Sequence, residues 1–206
     1  MYLLSKRLMD IFISVVLLFV LSPVLFFICL LIYSVDGRPA FFKQKRVGKD
    51  GRPFTILKLR TMRQHTAKKN VTYQTDIDEP WDMGVPDIFI FKSTRQKEVT
   101  NLGYFLRKYS LDEIPQLVNV LKGDMSLIGP RPEIPAIADY YNSHQRKRLI
   151  VRPGITGYAQ VNGRSNMTHG EKIDYDLYYV ENCSMLLDAK ILFLTIIQVF
   201  RAKGAV

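Results

Sequence analysis

From Ile11 to Tyr33 the chain carries no charged side chain. Wound as a helix that rises about 1.5 Å per residue, this run is long enough to cross the roughly 30 Å hydrocarbon core of a bilayer. A cleaved signal peptide fits poorly, because the run is too long and no small-residue cleavage site follows it. Ser22-Pro23 lies at its middle, where proline removes one intrahelical hydrogen bond and favours a kink. Both flanks are basic, with Lys6 and Arg7 before the run and Arg38, Lys43, Lys45 and Arg46 after it. Positive charge resists translocation, so both ends favour the cytoplasmic side. Two topologies remain open: a simple span, and a kinked helix that enters and returns on one face. The second needs Ser22 or packed protein to satisfy the carbonyl that Pro23 frees.

The 206 residues have room for one domain with one sizeable core beside this segment. A net charge of +10 calls for an anionic partner: nucleic acid, an acidic membrane surface or a phosphorylated substrate. Cys29 sits inside the apolar run and Cys183 far from it, so no disulfide scaffold or metal pair is legible and a reducing, cytosol-facing compartment is expected. Ala40–Phe42 and Phe54–Leu59 read as short strands around a Gly48–Gly51 turn. Residues 64–100 are polar and mixed, and read as a surface excursion. Their acidic residues Asp76, Asp78, Glu79 and Asp82 lack the glycine and spacing of a calcium loop. Helices are expected over Leu102–Lys108, Ile114–Leu121, Ile134–Leu149 and Leu186–Phe200, with a Pro- and Gly-rich loop from Val151 to Arg164. The last helix carries Asp188 and Lys190 and is too short to span, which makes it interfacial or core.

Ser110-Leu111-Asp112-Glu113-Ile114-Pro115 admits two compatible readings. It has the spacing of a helix start, either as a Ser110/Glu113 capping box or with Asp112 as the N-cap. Its adjacent carboxylates could also hold a divalent cation and attack phosphorus, giving an acyl phosphate that splits one displacement into two. Gly129-Pro130-Arg131-Pro132 and Val151-Arg152-Pro153-Gly154 each set one guanidinium on a stiff backbone. Either alone reads as a turn with a solvated arginine, but two in one basic chain point to a phosphate clamp, which Lys58 and Arg60 could extend. No Walker A sequence and no GxGxxG helix start is present. His65, His144 and His169 show no zinc spacing and read as surface residues.

A collinear series runs through nearly the whole chain outside 64–100. It begins with Lys6-Arg7-Leu8-Met9-Asp10, Ser22-Pro23, Gln44-Lys45-Arg46-Val47-Gly48 and Lys58-Leu59-Arg60-Thr61-Met62. Leu106-Arg107-Lys108, the Ser110–Leu117 stretch, Asn119–Ser126, Gly129–Pro132, Arg152–Gly157 and Gln160–Arg164 complete it. Any one of these is weak, but the ordered set is highly specific and is similar to the monotopic phosphoglycosyl transferases, or bacterial sugar transferases. One departure is Gln96-Lys97-Glu98, where the family usually has an Asp-Pro-Arg-like stretch.

The resemblance implies an α/β fold, α-rich with small strands, lying on the cytoplasmic face of the bacterial inner membrane. Residues 1–36 would form a re-entrant helix broken at Ser22-Pro23, and 37–206 the catalytic domain with interfacial helices. It implies Asp112 as nucleophile on the sugar-linked phosphate of a UDP-sugar, with release of UMP. Glu113 would take the proton from undecaprenyl phosphate in the second step. Mg2+ is the implied cofactor, approached by Asp112, and Lys58, Arg131 and Arg152 are the implied phosphate contacts. No added domain is expected, no nucleic acid partner is implied, and nothing calls for a dimer. The alternative from another class is a non-catalytic basic module that tethers to anionic lipid or binds polyprenyl phosphate without turnover. That reading leaves the carboxylate pair and the two arginine loops unexplained.

Overall fold

The computed structural model describes residues 2–63, 81–90, 98–163 and 167–201. Most of the expected 64–100 excursion, with His65, Asp76, Asp78, Glu79 and the Gln96-Lys97 departure, lies outside these residues, as does Arg164.

The apolar run belongs to one continuous helix, α1, Tyr2–Val35, long and apolar enough to cross a membrane by length and composition. It continues through Pro23. Proline cannot donate to the carbonyl of Phe19, and Ser22 Oγ donates there instead at 2.8 Å. Lys6, Asp10, Ser14, Ile28 and Ile32 are buried, and Leu18 and Leu25 pack between them against the body. Steps of three, four and seven residues place all of these on one helix face. Phe12, Phe19, Val20, Phe26 and Phe27 are exposed on the others. The helix therefore lies along the globular body by a single stripe.

Both ends of α1 are hydrogen-bonded to that body. Near the N-terminus, Lys6 Nζ meets Asp188 Oδ2 at 2.8 Å, and Arg7 donates to the carbonyls of Val120 and Leu121 at 2.6 and 2.9 Å. Asp10 Oδ1 accepts from Leu127 N at 3.2 Å. Beyond the C-terminus, Arg60 Nη2 donates to the carbonyls of Asp36 and Gly37, and Thr100 Oγ1 donates to Asp36 Oδ2 at 3.0 Å.

Strands β1 (Phe41–Val47) and β2 (Pro53–Leu59) pair antiparallel, Phe41 opposite Leu59 and Val47 opposite Pro53. The turn between them uses left-handed backbone at Asp50 (φ 56°) and Gly51 (φ 76°), conformations that aspartate and glycine adopt most cheaply. β1 runs on through Lys43-Gln44-Lys45-Arg46, past the expected end at Phe42. Pairing with the apolar β2, which buries Ile56 and Leu59, holds that charged stretch extended. Helix α2 (Asn101–Lys108) starts at Thr100, whose Oγ1 accepts from Gly103 N at 2.9 Å.

After a 3₁₀ turn at Leu111–Glu113 comes α3 (Gln116–Lys122), closed by Gly123 at φ 91°. β3 (Ser126–Ile128) pairs parallel with β4 (Gly154–Thr156). The helix expected over Ile134–Leu149 is instead α4 (Pro135–Ala138), α5 (Ser143–Arg146) and a 3₁₀ turn at Lys147–Ile150. Asn142 is the reason: its side chain and that of Gln145 form a reciprocal capping box, which starts a new helix where the old one would have continued. The expected Val151–Arg164 loop contains β4 and α6 (Tyr158–Asn162). Helix α7 (His169–Asn182), absent from the sequence reading, opens on a Thr168/Glu171 capping box. α8 (Met185–Arg201) covers the expected last helix and buries Asp188 and Ile191.

Among the described residues the architecture is helix-rich with two two-stranded sheets, in keeping with the expected class. A central cluster of Ile56, Leu117, Val120, Met125, Ile128, Tyr179 and Ile191 joins β2, α3, β3, α7 and α8. A second, around Trp81, Tyr141, Ile173 and Leu177, lies beneath the loop at 81–90. A third packs Ile28 and Ile32 of α1 on Leu59 and Leu106.

Candidate active site

The chain leaves α2 through Ser110, whose φ of 55° is left-handed. For a non-glycine residue that costs about 1 kcal/mol, and it turns the backbone so that Asp112 and Glu113 follow at once. Neither helix-start reading of this stretch is realised. Ser110 makes no capping hydrogen bond, and α3 begins at Gln116 behind Pro115. The two carboxylates lie in the 3₁₀ turn ahead of the helix, with Asp112 buried.

Two cations converge on this turn from other parts of the fold. Lys58, on β2, brings Nζ to 2.6 Å from Glu113 Oε1 and 3.9 Å from Asp112 Oδ2. Arg131, from the loop after β3, brings Nη2 to 2.7 Å from the same Glu113 oxygen. Asn119 fixes the distance between strand and turn. Its side chain is almost wholly buried, accepts from Leu57 N at 3.1 Å and donates to the Thr55 carbonyl at 2.8 Å. α3 is thereby bolted to the strand that carries Lys58.

The adjacent carboxylates sit in opposed electrostatic states. Burial raises the pKa of Asp112; Lys58 offsets part of this, while the charge of Glu113 adds to it. Burial would raise Glu113 as well, but the charges of Arg131 and Lys58 and their hydrogen bonds outweigh it and hold Glu113 well below the usual carboxylate range. Arg107 is a further cation that favours ionised Asp112, held by its Nε on Thr61 Oγ1 at 2.9 Å. The sequence shows Arg107 one helical turn before Ser110, but nothing local says which way it points.

The other arginines of the expected clamp lie elsewhere. Arg152 Nε donates to the carbonyl of Gly123 at 3.0 Å, at the far end of α3 from the carboxylates, where a cation complements the helix dipole. Arg60 caps the end of α1. His169 is buried rather than superficial, between the rings of Phe89 and Tyr141. Burial, with Arg148 nearby, lowers its pKa to about 4. Among the described residues no group of three His, Cys, Asp or Glu side chains could hold a metal. Asp112, whose carboxylate Lys58 Nζ approaches only to 3.9 Å, would suit a Mg2+ that takes one or two carboxylates and completes its shell with substrate phosphates and water.

Residues 1–202 match the bacterial sugar transferase family. The sugar transferase EpsL of Bacillus subtilis is 40% identical over 97% of this chain and 89% of its own length. The undecaprenyl-phosphate galactose phosphotransferase of Salmonella typhimurium is 37% identical over 97% of this chain. The UDP-glucose:undecaprenyl-phosphate glucose-1-phosphate transferase of Escherichia coli is 36% identical over 98%. This chain spans 41% of the length of each of the latter two. A match along almost the whole sequence, at this level of identity, makes the chain a transferase of the bacterial sugar transferase family.

Proposed function

We propose that this enzyme moves a sugar 1-phosphate from a UDP-sugar to undecaprenyl phosphate through a covalent phosphosugar on Asp112, releasing UMP. The observation that carries the reading is the pair of adjacent carboxylates, Asp112 buried and Glu113 half-buried, facing two cations, one carboxylate neutralised by both and the other left comparatively free. The names of the Salmonella and Escherichia relatives point to the same lipid acceptor and to a galactose or glucose donor.

In this mechanism an Asp112 oxygen attacks the sugar-linked phosphorus. The bond to the bridging oxygen breaks, and UMP departs with the electron pair. Lys58 and Arg131 turn from Glu113 to the diphosphate oxygens, which their geometry and charge suit. Glu113, held at low basicity while both cations rest on it, gains proton affinity as they leave. It then takes the proton of the incoming undecaprenyl phosphate, whose oxygen displaces Asp112 from phosphorus. Asp112 would hold Mg2+ together with the substrate phosphates, and the ion would supply charge neutralisation on the diphosphate. Arg152 would act on phosphate after releasing the Gly123 carbonyl.

The anchor supports a monotopic arrangement at the cytoplasmic face of the inner membrane. A bilayer with a core of about 30 Å cannot separate two helix ends that both bond to one water-facing domain. Residues 1–36 would then form a re-entrant anchor, with 37–206 as the catalytic domain at the lipid surface.

The test is UMP release from UDP-galactose, UDP-glucose and other UDP-sugars by detergent-purified protein with Mg2+. One UMP per enzyme without undecaprenyl phosphate, sustained turnover with it, and loss of both in Asp112→Asn are expected. Wild-type turnover by Asp112→Asn would refute the assignment. Binding of the lipid with no UMP from any donor would favour the non-catalytic tether.

A further inference from the structure

The loop that carries Arg131 lacks amide hydrogens at Pro130 and Pro132, so it is held largely through its carbonyls. The carbonyl of Pro130 accepts from Gly154 N at 2.9 Å, and that of Glu133 from Val47 N at 2.9 Å. Pro132 O accepts from Arg46 Nη1 at 3.3 Å, and Arg131 O from Arg148 Nη2 at 3.0 Å. Three separate segments, β1, β4 and the 3₁₀ turn at Lys147–Ile150, thus pin four consecutive residues. Of these donors, Arg148 is the one that holds the residue whose guanidinium reaches Glu113.

Arg148 is 4% exposed, and its guanidinium is itself held on several sides. Asp176 Oδ2, from α7, lies 2.5 Å from Nη2, and Glu133 Oε2 lies 3.6 Å from Nη1. Nη1 also donates to the Tyr141 hydroxyl. Burying a cation among two carboxylates is a poor way to gain stability, since apolar packing of equal volume often does as well or better. What the network provides that apolar packing would not is a directional donor at the Arg131 carbonyl.

We propose that Arg148, fixed by Asp176, Glu133 and Tyr141, is a positioning residue that sets the Arg131 backbone so that its side chain meets the phosphates of the nucleotide sugar. This rests on the reading of Arg131 as a phosphate contact. Lysine at 148 keeps the charge but has a single nitrogen, which cannot stand both at the Nη1 position, on Tyr141 and Glu133, and at the Nη2 position, on Asp176 and the Arg131 carbonyl, so the two-sided grip that fixes this donor is lost.

The test is a double-mutant cycle between Arg148→Lys and Arg131→Ala, read as kcat and KM for the UDP-sugar that the wild type turns over and as Kd for UDP with Mg2+. Each single variant is expected to lower kcat/KM by about tenfold or more, the scale of a lost charge-assisted hydrogen bond. The loss should fall mainly in KM, with UDP affinity weakened in parallel. In the Arg131→Ala background, Arg148→Lys should then cost less than about twofold more. Equal losses in both backgrounds would overturn the proposal, because a general structural defect does not act through Arg131. Wild-type kinetics and UDP affinity in Arg131→Ala alone would instead refute the phosphate-contact reading, and this proposal with it. Should Arg148→Lys fail to fold, Arg148→Gln combined with Asp176→Asn removes both charges together and enters the same cycle with the same two outcomes.

Discussion

Replacing Lys6 by methionine tests how the anchor is seated. Asp188 has no exposed surface and receives Lys6 Nζ at 2.8 Å, the Tyr2 hydroxyl at 2.9 Å and the Tyr179 hydroxyl at 2.8 Å. Methionine keeps most of the aliphatic stem and deletes the ammonium. Removing one partner of a buried ion pair costs about 3–5 kcal/mol. Here two hydroxyl donors stay on the carboxylate, each worth about 1.5–3 kcal/mol to a charged acceptor, so the loss belongs at the lower end, about 3 kcal/mol. For a chain of this size 1 kcal/mol moves Tm by about 2–4 °C, which gives a fall of about 6–12 °C. The single tryptophan, Trp81, is buried between Phe89 and Tyr140, so its fluorescence in nanodiscs reports the unfolding. Adding Asp188→Asn should recover most of the loss, because both charges are then gone. A Lys6→Met protein within about 2 °C of wild type, or one whose loss Asp188→Asn does not relieve, would refute the docking of the N-terminal turns. A spanning topology, which puts Lys6 in the opposite aqueous phase, predicts that outcome.

Burial and the charge of Glu113 raise the pKa of Asp112, so the acid limb of the UMP-releasing half-reaction is expected above the value of about 3.9 for free aspartate. Lys58→Met removes a charge that lowers it and should move the limb further up. Glu113→Gln removes a like charge and frees Lys58 and Arg131, so it should move the limb down; pH–rate profiles with shifts of the opposite sign would defeat the electrostatic assignment. Asn119→Ala leaves Leu57 N and the Thr55 carbonyl without their partner and should cost about 2 kcal/mol or more in thermal unfolding. Cysteine at the exposed Leu3, in a background without Cys29 and Cys183, should react with a membrane-impermeant maleimide only after the cells are opened. Labelling in intact spheroplasts would establish a full span.

The carboxylate pair and the proline-flanked arginines were legible because charge and stiffness are local properties, written in a few adjacent letters. Which cation goes where is not local. Lys58 and Arg60 stand two residues apart at the end of β2, the first inside the strand and the second just past it, yet one reaches Glu113 and the other the end of α1. Arg131 and Arg152 each stand directly before a proline, but the second lies within reach of a helix C-terminus and takes its carbonyl. The breaks were partly readable after all. Asn142 and Gln145 have capping-box spacing inside what looks like one helix, and Thr168 and Glu171 announce α7 in the same way. The register of Lys43–Arg46 with β2 had no local signature, because pairing rather than composition holds that stretch extended.

The row Lys6, Asp10 and Ser14 on the anchor also has a consequence for biosynthesis. Lys6 meets its partner 182 residues later in the chain, and Asp10 meets Leu127 117 residues later. At the usual pace of about 5–20 residues per second, the ribosome needs roughly 10–40 s between making Lys6 and making Asp188. Throughout that interval Lys6, at the charged start of a long apolar helix that also carries Arg7 and Asp10, stays without the carboxylate that receives it, and such charges are costly to sink into hydrocarbon. With the helix seated at the membrane as proposed above, its charged start would wait at the headgroup level and reach its final depth only when the last helix of the chain emerges to receive it.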